Sequence, residues 1–142
     1  SAGWYWQFNR KQGYKHDGTT VTPAWTITTI NENSDWLSSN DPCKLELGSD
    51  WRIPSYTEWN NVLISGGWTN WNGPWNSGLK LHAGGYNMPD NGFRDRGIQG
   101  HFYTSMQYDN LNAREFGLTT TTTYVGWGGK AYGFTLRCIR NY

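Results

Sequence analysis

Tryptophan and asparagine are interleaved between Gly66 and Gly78, where Trp68, Asn70, Trp71, Asn72 and Trp75 fall in one short stretch. The face of an indole ring stacks on the C–H face of a sugar or on an apolar patch of a protein. An Asn amide offers a hydroxyl both a donor and an acceptor at short reach. Together with Tyr, Ser and Gly, these residue types are the ones adaptable paratopes use. The same tryptophans could instead fold back as a satellite core beneath a long loop, because aliphatic residues are sparse in this chain. Trp127, within Tyr124 to Gly129, reads either as a ligand contact at a Gly-rich turn tip or as a lid on the core.

Catalytic chemistry finds less support. His16, His82 and His101 have no Ser or Cys nucleophile beside them in a recognisable arrangement, and isolated histidines usually serve structure or sit in solvent. No Asp/Glu spacing suggests a glycoside-hydrolase pair. Regular threonine faces can bind ice or crystalline polysaccharide, but the single run Thr119 to Thr123 is not a repeating array. It reads as an exposed strand leading to a turn at Gly126 to Gly129. A non-enzymatic chain without cofactor or metal is therefore expected.

The clearest element is a helix. In Trp51-Arg52-Ile53-Pro54-Ser55-Tyr56-Thr57-Glu58-Trp59, Pro54 ends an extended segment, Ser55 sits at the N-cap, and Glu58 completes a capping box. Tyr56, Trp59, Val62 and Leu63 then give one apolar face, and Gly66-Gly67 stops the helix near residue 65. Strands are expected at Trp4 to Phe8, Trp25 to Ile30, Leu79 to Leu81, Gly100 to Ser105, Ala113 to Leu118 and Tyr132 to Ile139. A brief helical turn fits Asn33 to Leu37. Lys11 to Pro23, Gly66 to Gly78 and His82 to Arg96 carry turn chemistry and read as loops.

With 142 residues the chain is expected to form a single domain over 1–142. Ten Trp and nine Tyr among few aliphatics predict a core of large amphipathic rings linked by many turns, neither disordered nor mainly helical. A formal net charge of +1 argues against nucleic acid or an anionic membrane as partner. No apolar run approaches the roughly 20 residues that span a bilayer. Ser1-Ala2-Gly3 reads as a trimmed or mature start, which says little about location. On the residues alone, Cys43 and Cys138 could be free thiols or bonded, and no C-x-x-C or Cys/His cluster offers a metal or redox site. A bond across so long a loop would contribute about 4 kcal/mol by the chain-entropy estimate.

The helix segment, read with the late Gly133-Phe134-Thr135-Leu136-Arg137-Cys138, resembles the W-R-I/L-P-S/T-x-x-E-W and G-F-x-L/V-R-C motifs of the bacterial major paralogous domain (FISUMP) family. That family looks like a relative of the formylglycine-generating-enzyme (sulfatase-modifying-factor) branch of the C-type lectin-like fold. Leu79-Lys80-Leu81-His82-Ala83-Gly84-Gly85-Tyr86 is similar to the family's L-x-L-x-A-A-G-Y. Arg96 to Ser105 is similar to R-G-x-x-G-x-Y-W-S-S, and Asn40-Asp41-Pro42-Cys43 matches N-D-P-C. The likeness runs from about Trp4 to Ile139 and is weakest over 66–78.

The resemblance implies an α+β C-type lectin-like domain with one or two helices, twisted antiparallel sheets, and the Trp4 strand beside the Cys138 strand. It implies a Cys43–Cys138 disulfide and hence an extracytoplasmic setting. Trp51, Arg52, Pro54, Ser55, Glu58 and Trp59 become a structural motif. Formylglycine-generating relatives work through an active-site cysteine pair, whereas both cysteines here fall at structural positions. Sugar-binding C-type lectins use E-P-N or Q-P-D with a later W-N-D; Met88-Pro89-Asp90 is a partial match without W-N-D, and Asp90, Asp95 and Asp109 are too few for a calcium site. In retroelement-diversified relatives the variable residues share one exposed C-terminal face. Tyr103, Tyr108, Asp109, Asn110 and Asn112 fit such a surface, and an ordinary polar hairpin loop fits equally.

The expected function is a secreted or surface-displayed adhesin-like module that binds a glycan or cell-surface protein, without nucleic acid or membrane insertion. It would form part of a larger bacterial surface or virion protein. The alternatives are a diversity-generating-retroelement variable protein acting as a phage or cell-surface receptor-binding tip, and a structural unit of a larger surface protein.

Overall fold

A computed structural model describes residues 3–141. Its strands and helices follow in the order β1 (Trp4–Trp6), β2 (Gly13–His16), β3 (Val21–Thr22), α1 (Pro42–Leu47), β4 (Trp51–Arg52), α2 (Tyr56–Gly66), α3 (Asn72–Asn76), β5 (Gly84–Asn87), β6 (Phe93–Arg96), β7 (Gly100–Gln107), β8 (Asn112–Leu118), β9 (Thr123–Gly129) and β10 (Ile139–Arg140). The chain is α+β, with one five-stranded sheet of order β6-β5-β7-β8-β9, a three-stranded sheet β1-β2-β3 and a β4-β10 pair. All pairings are antiparallel except β5 with β7, so the large sheet is mixed rather than purely antiparallel as expected.

The register of β7, β8 and β9 decides what each face of the large sheet carries. Glu115 lies opposite Tyr103 and Gly126, and Gly117 lies opposite His101 and Tyr124. Because side chains alternate across a strand, one face presents His101, Tyr103, Glu115, Tyr124 and two glycines of β9. The other presents Phe102, Phe116, Leu118 and Val125. This second face packs on α2: Trp59 stacks on Phe116 at 4.8 Å between centroids, with Leu81 completing the cluster. The first face is covered in part by Phe134, whose ring lies 4.5 Å from that of Tyr103. Phe8, Trp36, Ile53 and Leu136 join them.

Helix α2 forms as its sequence predicts. Ser55 Oγ accepts from the Glu58 amide and Glu58 Oε1 accepts from the Ser55 amide. Gly67 closes the helix in the left-handed region at φ 59°. Glu58 has a second role: the Arg52 guanidinium grips it with two parallel hydrogen bonds of 2.5 and 2.7 Å. Cys43 and Cys138 are bonded, which fits a secreted or extracellular protein. No helix among the described residues is long and apolar enough to cross a membrane.

Several expected elements differ. Three α-helices form where one or two were expected. The 33–37 turn appears instead as a 3-10 turn at Ser38–Asn40, followed by α1. There Asp41 caps the Cys43 amide, and Pro42 occupies the first helical position, where no amide donor is needed. The loop read at Lys11 to Pro23 holds β2 and β3, joined by a turn in which Asp17 accepts from the Thr19 and Thr20 amides. The loop read at His82 to Arg96 holds β5 and β6. Trp25 to Ile30 joins no ladder, being held instead through side chains: Trp25 Nε1 donates to the Pro89 carbonyl and Gln7 Nε2 to that of Ile27.

Leu79 to Leu81 is likewise irregular. The assignments at 119–129 are reversed. Thr119 Oγ1 accepts from the Thr121 and Thr122 amides and makes the turn, and the Gly-rich stretch is strand β9. Residues 132–139 do not form one strand, because successive residues bridge to different neighbours: Gly133 to Asn87, Phe134 to Trp6 and Thr135 to Phe102. The Trp4 strand thus lies beside the segment just before Cys138.

The Arg52–Glu58 grip holds the Glu58 carboxyl down to about 2, chiefly through the hydrogen bonds from Arg52. A depressed carboxyl stabilises the fold fully above its unfolded value near 4.5 and loses that contribution as pH falls towards about 2. We expect Glu58→Gln to lower unfolding free energy by about 1–2 kcal/mol at neutral pH. The gap to the wild type should close on acidification from pH 5 to 2 in denaturant titrations. A gap that stays constant with pH would remove Glu58 as its source.

Candidate functional site

The face of the large sheet that carries His101 and Glu115 is only partly covered, and a cavity of about 310 Å³ opens there. Three glycines make it possible. A Cβ on Gly117 would lie 2.3 Å from the Tyr124 ring, so glycine lets that ring cross β8. A Cβ on Gly128 would lie 2.4 Å from Glu115 Oε2, and one on Gly129 would lie 2.6 Å from the Tyr132 ring. The missing side chains leave a depression floored by Glu115 and walled by Tyr86, Tyr124, Tyr132 and Phe134, with Trp127 and Asn112 also lining it.

Glu115 is 2% exposed. Its Oε1 accepts from the Tyr124 hydroxyl at 2.8 Å and lies 2.7 Å from His101 Nδ1. The opposite ring nitrogen, Nε2, lies 2.9 Å from Gln99 Oε1. A carboxylate oxygen can only accept, so Nδ1 is the proton carrier in its contact. Burial, followed by the charge of Glu115, raises the Tyr124 hydroxyl well above its ordinary range and keeps it a donor. The His101 ring is clamped between aromatics, stacked on Phe134 at 5.0 Å with the Tyr86 edge at 5.1 Å. Glu115 Oε2 has no hydrogen-bond partner among the described residues. A buried carboxylate oxygen facing an open, aromatic-walled cavity is an acceptor left for a ligand donor.

The residues singled out in the sequence are distributed over several places. Asn112 and Trp127 line this cavity, Trp127 at 59% exposure, in mid-strand opposite Arg114 rather than at a turn tip. Tyr103 is fully buried, and its hydroxyl donates to the Gly129 and Tyr132 carbonyls. It holds the return from β9 in place and cannot be a ligand contact. Tyr108, Asp109 and Asn110 form the β7–β8 turn. Asp109 Oδ1 accepts from the Leu111 and Asn112 amides and from the Asn112 side chain, and these bonds lower its carboxyl.

Tyr108 packs on Trp127 at 4.6 Å, and the Arg114 guanidinium lies 4.8 Å from both the Tyr108 and Tyr56 rings. Trp68 is half-buried and turns its ring to Phe116 at 6.0 Å, against the core cluster of α2. Asn70 accepts from the Asn72 amide and starts α3, which the Gly/Asn/Pro density had concealed. Trp71 and Trp75 remain exposed, in a separate cavity with His82. Among the described residues no three His, Cys, Asp or Glu side chains converge as for a metal ion.

Sequence reading missed Glu115, Tyr124 and Gln99. The available signal was a polar residue at an inward position of an apolar strand (Glu115 between Ala113 and Gly117) facing a strand whose inward positions are glycine.

Comparison of the chain with protein-family models, with curated proteins and with solved structures finds no match. The geometry of the cavity therefore carries the functional reading by itself.

Filling the floor should disturb it. In Gly128→Ala the new methyl must displace Glu115 or Phe134, and we expect a loss of about 1–3 kcal/mol in unfolding free energy. Gly78→Ala, which meets nothing within 4 Å, should stay within about 0.5 kcal/mol of the wild type. Equal stability of the two variants would mean the cavity floor is not packed as described.

Proposed function

We propose that this chain is a non-enzymatic extracellular binding module, a C-type lectin-like domain of the major paralogous domain kind, that seats a glycan in the cavity over Glu115. The observation that carries this reading is the unpartnered Oε2 of Glu115 at the floor of an aromatic-walled cavity. A sugar hydroxyl has one proton to donate and lone pairs that accept; Oε2 takes the proton, and the atom of the Gln99 amide not turned to His101 offers a further partner. Tyr86 and Tyr132 offer ring faces for the apolar side of a pyranose. Proteins that hold small molecules place a few convergent polar groups within such walls. His101 and Tyr124 fix the carboxylate in one orientation, and an acceptor fixed beforehand loses less entropy on binding.

A second reading, a retroelement-diversified receptor-binding tip, draws on the exposed Tyr108–Trp127 pair beside Asn112. A reverse-transcriptase gene with a template repeat beside this gene would be its mark.

The test is a glycan-array screen of the wild type followed by titration calorimetry on the best neutral oligosaccharide. Tyr132→Ala removes a half-buried ring from the cavity wall, and we expect it to weaken binding by about tenfold. Glu115→Gln keeps the side-chain volume and removes the ionised acceptor, and should weaken binding at least as much. Undiminished affinity in both folded variants would sink the assignment of the ligand to this cavity.

A further inference from the structure

Two further cavities meet at His82, Ala83 and Gly97, which line both. One, of about 260 Å³, is walled by Trp71 and Trp75. The other, of about 430 Å³, is lined by Lys15, His16 and Arg96, and no carboxylate lines it. The two form one groove, aromatic at one end and cationic at the other. Neither Lys15 nor Arg96 has a carboxylate within ion-pair distance among the described residues.

The cationic end is built, not incidental. Arg96 donates through Nη2 to the His16 carbonyl at 2.7 Å and lies over the Phe93 ring at 4.7 Å. The same ring stacks on His16 at 4.2 Å. His16 is 4% exposed, and its Nδ1 accepts from the Gly18 amide at 2.9 Å. The ring proton therefore sits on Nε2, a donor with no partner among the described residues. At the other end the Trp75 ring meets His82 edge-on at 4.9 Å, so the indole is held at the junction.

We propose that this groove binds an acidic saccharide, its sugar ring on Trp71 and Trp75 and its carboxylate or sulfate against Arg96 and His16, with Lys15 at the exposed rim. Planar bidentate recognition by a guanidinium suits either anion. A neutral buried imidazole donor beside it adds a hydrogen bond without adding repulsion. The groove shares no residue with the Glu115 cavity, so this site stands or falls independently of that one.

Calorimetry with tetragalacturonate, a heparin-derived tetrasaccharide and the neutral maltotetraose tests it. We expect at least one anionic probe to bind about tenfold more tightly than the neutral one; which of the two does so separates carboxylate from sulfate. Lys15→Gln and Arg96→Gln should each weaken anionic binding several-fold and leave neutral binding unchanged, as the lost contact is ionic. Lys15 is exposed, so its variant reports even where loss of Arg96 disturbs packing. Trp75→Ala should weaken both classes, whereas Glu115→Gln and the remote Lys44→Gln should leave anionic binding intact. Equal affinity for charged and neutral probes, or an equal loss in Lys44→Gln, would overturn the proposal. So would a loss confined to Glu115→Gln, which would move the anion to the other cavity.

Discussion

One irregular segment, residues 130–135, ties the three-stranded sheet to the five-stranded one. The Phe134 amide and carbonyl bond Trp6 of β1, those of Gly133 bond Asn87 of β5, and those of Thr135 bond Tyr103 and His101 of β7. The Lys130 carbonyl takes the Phe8 amide and its own amide reaches Leu111. Gly133, Phe134 and Thr135 each complete a different strand, so the segment cannot be a strand itself. It also delivers the Phe134 ring into the core and places the Tyr132 ring at the cavity. Buried Lys130 anchors the start of the segment, with Nζ donating to the Glu32 carbonyl and to Gln107 Oε1. A buried ammonium is tolerated only when its protons are taken, and here both acceptors come from outside the segment. The disulfide ties the chain a few residues later, at Cys138, to the start of α1.

The aromatic composition and the glycines have a common origin in packing. A core with few Leu, Ile and Val must be filled by rings, and rings leave shapes that branched aliphatics would close. Where two rings or a ring and a strand compete for the same volume, glycine yields it. Gly66 and Gly73 lie against the Trp68 indole, Gly13 against Trp6, and Gly117 against Tyr124. The open cavities are a consequence of this economy, because glycine gives up side-chain volume without collapsing the backbone that surrounds it.

Local signals were legible where the chain needs no distant partner. The Ser55–Glu58 capping box and the Gly67 stop are complete within one helix, and the strands expected at Gly100 to Ser105 and Ala113 to Leu118 fall on β7 and β8. What escaped depends on tertiary pairing. Gly84 to Asn87 and Phe93 to Arg96 carry turn residues at strand positions, and only the pairing of β5 with β6 on one side and β7 on the other makes them strands. The Thr run and the Gly-rich run exchanged roles because β propensity reports a half-buried pleated surface. β9 uses glycine precisely where its partner's side chains need room. The same blindness hid the candidate site: His101 and Glu115 lie fourteen positions apart and meet only through the β7–β8 register.

Whole-chain charge turned out to be a poor guide to local electrostatics. A net charge of +1 is the sum over the chain, whereas a ligand responds to charges within roughly a Debye length of about 8–10 Å. Glu58 and Glu32 are matched by Arg52 and Arg10 at short range. These pairs cancel within themselves, whereas Lys15 and Arg96 have no ion-pair partner among the described residues. A nearly neutral chain can therefore present an acceptor-rich cavity and a cationic groove at separate sites. Balanced composition thus does not speak against a single anionic group held by a few fixed donors.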